Sequence, residues 1–124
     1  MLVAVSELLD RLSIVQLKIE RIGEPGLEKE KIAIEEALNE YSKKGFVIQP
    51  TWLKELYDIN GQIWDLEGDI RKGKEGVLGL EEVGRRAIMI RDKNRIRIAI
   101  KQRVNEATQT GFKDVKMNHA STDK

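Results

Sequence analysis

These 124 residues contain no cysteine and a single histidine, His119, near the C-terminal end. The first absence excludes disulfide frameworks, thiolate metal sites and cysteine nucleophiles, and it suits a reducing compartment. With one histidine and no thiol, neither a histidine-rich metal centre nor a Ser-His-Asp triad is expected. Only two prolines occur, Pro25 and Pro50. Both fall where turns are expected, so long stretches are free to be helical. Aromatic residues make up 5% of the chain, and no aromatic lies among the basic residues of its last third, which leaves nothing there to stack on nucleic-acid bases. The apolar run at the N-terminus, Met1 to Val5, is short and has neither a basic flank nor a cleavage site. It reads as neither signal peptide nor membrane span, and a soluble, cytoplasmic protein without membrane contact is expected. Net charge is +1, too small to steer the whole molecule strongly toward polyanions.

What the chain does have is charge, at 35% of residues, interleaved with aliphatics at helical spacing. A first helix is predicted from Ser6, as N-cap, to Ile22. Val5, Leu8, Leu12, Val15, Ile19 and Ile22 share one face, and Leu9, Ile14 and Leu17 widen it. Gly23 to Gly26 breaks it. A second helix follows from Leu27 to Lys44 with Ile34, Ala37, Leu38 and Tyr41 inward, and Gly45 is its expected stop. Residues 46–50 read as a buried extended connector. A third helix is predicted from Thr51 to Arg71 with Trp52, Leu56, Ile59, Ile63, Leu66 and Ile70 as its seam, then a mobile glycine-rich connection over 72–79. The fourth runs from Leu80 to Thr110, ending at Gly111, unless Gly84 or residues 92–94 interrupt it. The expectation is an all-α domain over residues 1–112, a four-helix, mostly antiparallel bundle with long third and fourth helices. A polar tail over 113–124 is expected to be disordered.

The informative irregularity is polar residues where apolar ones belong. Projected at about 100° per residue, Asn94, Lys101 and Asn105 fall with Val83, Ala87, Ile90 and Ile98, and Arg97 sits at the edge of that face. Helix three carries a second line beside its seam that includes Asn60, Trp64, Glu67 and Arg71. Helix one adds Asp10 and Lys18. Packing would gather these ten residues into one seam. Buried charge persists only when paired, so the seam either fixes helix register or binds a polar ligand, with Arg97 and Lys101 as anion contacts. Register is the favoured reading. Trp64, at an apolar-polar boundary, reads more readily as core than as a recognition platform.

Charge is also divided between elements. Residues 51–70 hold one lysine against five acids, whereas residues 85–103 hold eight arginines and lysines against Asp92. A nucleic-acid patch is one reading. The basic residues surround the whole helix instead of lining one face, so pairing with the acidic neighbour is preferred and nucleic acid is disfavoured as a partner. The acid pairs Glu36/Glu40 and Asp65/Asp69 have cation-bridging spacing. Glu55-Leu56-Tyr57-Asp58 matches half of the magnesium-binding pattern of all-helical nucleoside triphosphate pyrophosphohydrolases, but the second helix lacks the E-x-x-E half. No metal and no cofactor are expected, and an enzyme is disfavoured.

The stretch Val5 to Ile14 with Lys18 to Ile22, the cluster Asn60, Ile63-Trp64-Asp65-Leu66-Glu67 and Asp69-Ile70-Arg71, and the late Asn94, Arg97, Ala99-Ile100-Lys101 and Val104-Asn105-Glu106 together resemble a small uncharacterised helical family of bacteria and phages, a domain of unknown function. The match spans about 70% of the chain by eye. It departs at Gly68, where an acid is usual, and at 88–93. The resemblance implies a fold type and a set of polar positions, not a reaction. Because helix four is apolar on more than one side, a homodimer through helices one and four is expected, as a non-enzymatic interaction or assembly module, possible protein partners included.

Overall fold

The computed structural model describes residues 3–110 apart from 75 and 77, and only the backbone of 72–74. The expected tail with His119, the stop at Gly111 and the outer bounds of the 1–112 domain lie outside the described residues.

Four helices carry the chain: α1 (Val5–Arg21), α2 (Leu27–Lys43), α3 (Pro50–Lys74) and α4 (Leu80–Thr108). There is no strand among the described residues, and the architecture is the expected all-α four-helix bundle. Successive helices reverse direction. α1 occupies the centre, packing against each of the other three; α3 and α4 also pack on each other, whereas the backbone of α2 approaches α1 alone. This centrality explains why α1 needs apolar residues around most of its circumference: Val5, Leu8, Leu9, Leu12, Val15 and Leu17 are all buried. All but Leu17 belong to one cluster with Ile34 and Tyr41 of α2, Leu56, Ile59 and Ile63 of α3, and Ile100 and Val104 of α4. Each such burial contributes about 1.5–3 kcal/mol.

The helix ends depart from the sequence expectation in ways that have local causes. Ser6 is not the N-cap of α1; Ala4 is, and Ser6 is buried in the first turn. The orphan N–H of Val5 is met from the far end of the chain, by Thr110 Oγ1 at 3.3 Å. A tertiary cap therefore replaces the local one. Pro50, expected in a turn, is the first residue of α3, where its missing N–H costs nothing. α3 continues past Arg71 to Lys74 and takes Gly73 into the helix, which shortens the expected loop. α4 runs unbroken through Gly84 and residues 92–94, about 43 Å of helix, and ends with Gln109 in the left-handed region (φ 54°).

The stop after α2 is as expected. Gly45 adopts φ 98°, Phe46 N–H donates to Tyr41 O at 3.2 Å, and the two rings meet edge-on at 5.1 Å. In the connector that follows, Phe46 and Ile48 rest on the core but Val47 is 70% exposed, so the expected buried segment is covered only at alternate residues.

Candidate functional site

The polar seam centres on Asp10, which sits on α1 among leucines with 2% of its surface exposed. A carboxylate so placed must be compensated, and α3 and α4 both contribute. Arg97 Nε donates to Asp10 Oδ1 at 2.9 Å while its Nη2 donates to Oδ2, a two-pronged clamp from α4. From α3, Asn60 Nδ2 donates to the same Oδ1 at 2.9 Å and to Ser13 Oγ at 2.8 Å. Ser13 Oγ donates in turn to the backbone carbonyl of Asp10 at 2.7 Å. Lys101, one turn beyond Arg97, pairs with Glu7 and stands 3.8 Å from Asp10 Oδ2.

Burial alone would raise the Asp10 pKa. The hydrogen bonds from Arg97 and Asn60 and the charges of Arg97 and Lys101 outweigh it and hold the carboxyl below its ordinary value. Arg97 is raised, first by its bond to Asp10 and further by the charges of Asp10, Glu7 and Glu67, against a loss from burial. Three helices are thus joined through one charged carboxylate.

Beside this network, between α1, α3 and α4, lies a half-open cleft of about 240 Å³, lined by Ile14, Leu17, Asn60, Ile63, Trp64, Glu67, Asn94 and Arg97. Arg21, held by Asp65, lies over the Trp64 ring at 6.0 Å. A larger hollow of about 550 Å³ between α1, α2 and α3 is an open trough, crossed by the hydrogen bond from Tyr57 to Glu20. The Tyr57 phenol is raised above its usual value, chiefly by that bond.

Of the ten residues expected in the seam, Asp10, Asn60, Arg97 and Lys101 form the network, and Trp64, Glu67 and Asn94 line the cleft with Asn60 and Arg97. Lys18, Arg71 and Asn105 belong to neither. Lys18 is half-buried on α1, Arg71 is exposed near the end of α3, and Asn105 lies half-buried with its Oδ1 covered and without a hydrogen bond. The structure adds Glu7 and Ser13. Both share the Asp10 face of α1, three residues before and after it, and that spacing was the available signal.

Pairing with other helices takes up half of the eight basic residues over 85–103, and pairing within α4 takes up three more. Arg86 reaches Asp69 and Arg103 reaches Glu55, both on α3. Within α4, Arg85 pairs with Glu82, and Arg91 and Arg95 with Asp92. With Arg97 and Lys101 held by α1, Lys93 alone of the basic residues 85–103 has no acidic partner among the described residues. No group of three or more metal-ligating side chains occurs among the described residues, and no described helix is long and apolar enough to cross a membrane.

In comparisons with known proteins, no family model, no curated protein and no solved structure matches this chain. The likeness to a bacterial and phage family therefore rests on the motif residues alone.

Proposed function

We propose that the protein is a non-enzymatic assembly module that pairs with a second copy of itself through the outer face of α4. The observation that carries this reading is the exposure of Ile88, Met89 and Ile96, at 41–52% each, on a helix whose inner stripe is already occupied by α1 and α3; Ile98, expected on that inner stripe, is exposed as well, on the flank opposite Met89. α1 has no comparable face, because its own chain covers nearly all of its aliphatics; the interface is therefore assigned to α4 alone.

A second copy fits this face for a reason of charge. Along the outermost line of α4, residues 81, 85, 88, 92, 95, 99, 102 and 106 recur at spacings of four and three. Laid antiparallel on itself about the point between residues 93 and 94, the line sets Ile88 against Ala99 of the other copy. It also sets Asp92 against Arg95, twice, on either side of the two-fold axis, and opposes Glu81 to Glu106 only at the far ends, about 19 Å from the axis, where water and salt screen them. Both charges are exposed, at 55% and 71% of their side chains, and free to exchange partners. Gly84 and Ala99 lower the surface for close approach, and Met89 and Ile96 flank one side. The pairing is isologous and closes on two copies.

The experiment is size-exclusion chromatography with light scattering at micromolar concentration. A dimer is expected for the natural sequence. Asp92→Arg or Arg95→Asp alone should weaken dimerisation about tenfold or more, by opposing like charges, and the double exchange should restore it. A monomeric natural chain, or single variants that dimerise unchanged, would contradict the proposal.

A further inference from the structure

The cleft between α1, α3 and α4 differs from the network behind it in one respect, which is how its polar groups are used. Every oxygen and nitrogen that fixes Asp10 is engaged. Along the cleft, the side chains of Asn94 and Glu67 and the indole N–H of Trp64 form no hydrogen bond with the described residues, and neither does Arg97 Nη1, the third nitrogen of a guanidinium whose other two are held by Asp10. Residues that carry a donor-only group, an acceptor-only group and an amide that does both therefore line one half-open space. The guanidinium cannot swing away, because the Asp10 clamp fixes its plane. That is preorganisation of the kind binding sites require.

Charge narrows the ligand class. The seam was expected to offer Arg97 and Lys101 to an anion. Arg97 is neutralised by Asp10, and Lys101 is drawn off to Glu7. The charge left over in the cleft is the carboxylate of Glu67, which repels anions but, being exposed to water, holds a cation only weakly. A neutral ligand is left, one that presents hydroxyls able both to give and to accept, together with apolar C–H surface for Trp64, Ile14, Leu17 and Ile63. At about 240 Å³ the volume is below that of drug-sized pockets and admits one six-membered ring, with the rest of a larger molecule left in solvent.

We infer that this cleft binds a single neutral pyranose unit, free or at the end of a glycan, with Asn94, Glu67 and Arg97 Nη1 as hydroxyl partners and Trp64 as the apolar wall. The site is independent of the outer face of α4, since Asn94 and Arg97 lie on the inner side of that helix.

The test is a ¹H–¹⁵N NMR titration of the full chain with methyl glycosides of glucose, galactose, mannose and N-acetylglucosamine, alongside glycerol, inorganic phosphate and tetramethylammonium. Saturable shifts are expected at the Trp64 indole and the Asn94 side-chain amide, with at least one glycoside and at millimolar concentration. Asn94→Ala should weaken that binding about tenfold, the loss of one or two hydrogen bonds, and Glu67→Gln less, while both variants keep the dispersed spectrum of a folded chain. Larger shifts with phosphate would show an anion site, with tetramethylammonium a cation site, and equal ones with glycerol unspecific polyol contact. Each of these overturns the inference, as does a panel in which no glycoside saturates.

Discussion

At the residue scale, Asp10 decides how the three contacting helices meet. Its carboxylate is stabilised in the folded chain relative to the unfolded one, because Arg97 and Asn60 donate to it and Lys101 stands near. A folded pKa below the ordinary 3.8 means that this stabilisation is fully present above about pH 4 and is lost as pH falls toward the folded value. Replacing Asp10 by Asn leaves Arg97 without its counter-charge and should cost about 2–4 kcal/mol in urea unfolding at pH 7. The gap between the natural and variant proteins should shrink below pH 4. A gap that held constant down to pH 2 would mean that Asp10 is not charged in the network. Asp10, Asn60, Arg97 and Lys101 were legible in the sequence because polar residues on an apolar stripe break its period. Ser13 and Glu7 were not, since a serine between Leu12 and Ile14 reads as a spacer and a glutamate in a first turn reads as a dipole partner.

At the scale of elements, hydrophobic spacing located all four helices and the stop at Gly45, where a left-handed glycine and the Tyr41–Phe46 contact are both local. The misplaced ends are those set by distant residues or by proline at a first helical position. Ser6 has the side chain of an N-cap, yet the start of α1 is capped by Thr110, to which Thr108 Oγ1 is also joined at 2.8 Å. No window of sequence contains that contact. Thr110→Val, which keeps the shape and removes the acceptor, should lower stability by about 1 kcal/mol and raise the amide exchange rate at Val5 before that of the helix interior. Unchanged exchange at Val5 would show that water serves equally well there. Lys18, Arg71 and Asn105 were expected in the seam because helical projection treats a helix as endless. Arg71 lies toward the end of α3, and a stripe drifts by about 20° every seven residues against a heptad partner.

At the scale of the molecule, α4 has two unlike sides. The inner one meets α1 and α3 through paired charges, Arg86 to Asp69, Arg97 to Asp10 and Arg103 to Glu55, interspersed with Ile90, Ile100 and Val104. Division of charge between residues 51–70 and 85–103 foretold the pairs with Asp69 and Glu55, but not the one with Asp10 on α1. The outer side carries the aliphatics that no part of the described chain covers, and self-association is the function proposed for it. The chain lacks cysteine, so introduced thiols report on that face without interference. The most direct measurement is oxidative cross-linking of the double variant Ile88→Cys/Ala99→Cys beside each single variant. Within one α4 the two positions are about 16 Å apart, far beyond a disulfide's reach, whereas antiparallel pairing brings each against the other in the second copy. The account predicts a covalent dimer from the double variant and none from either single variant. A double variant that stays monomeric, or single variants that cross-link as readily, would contradict it.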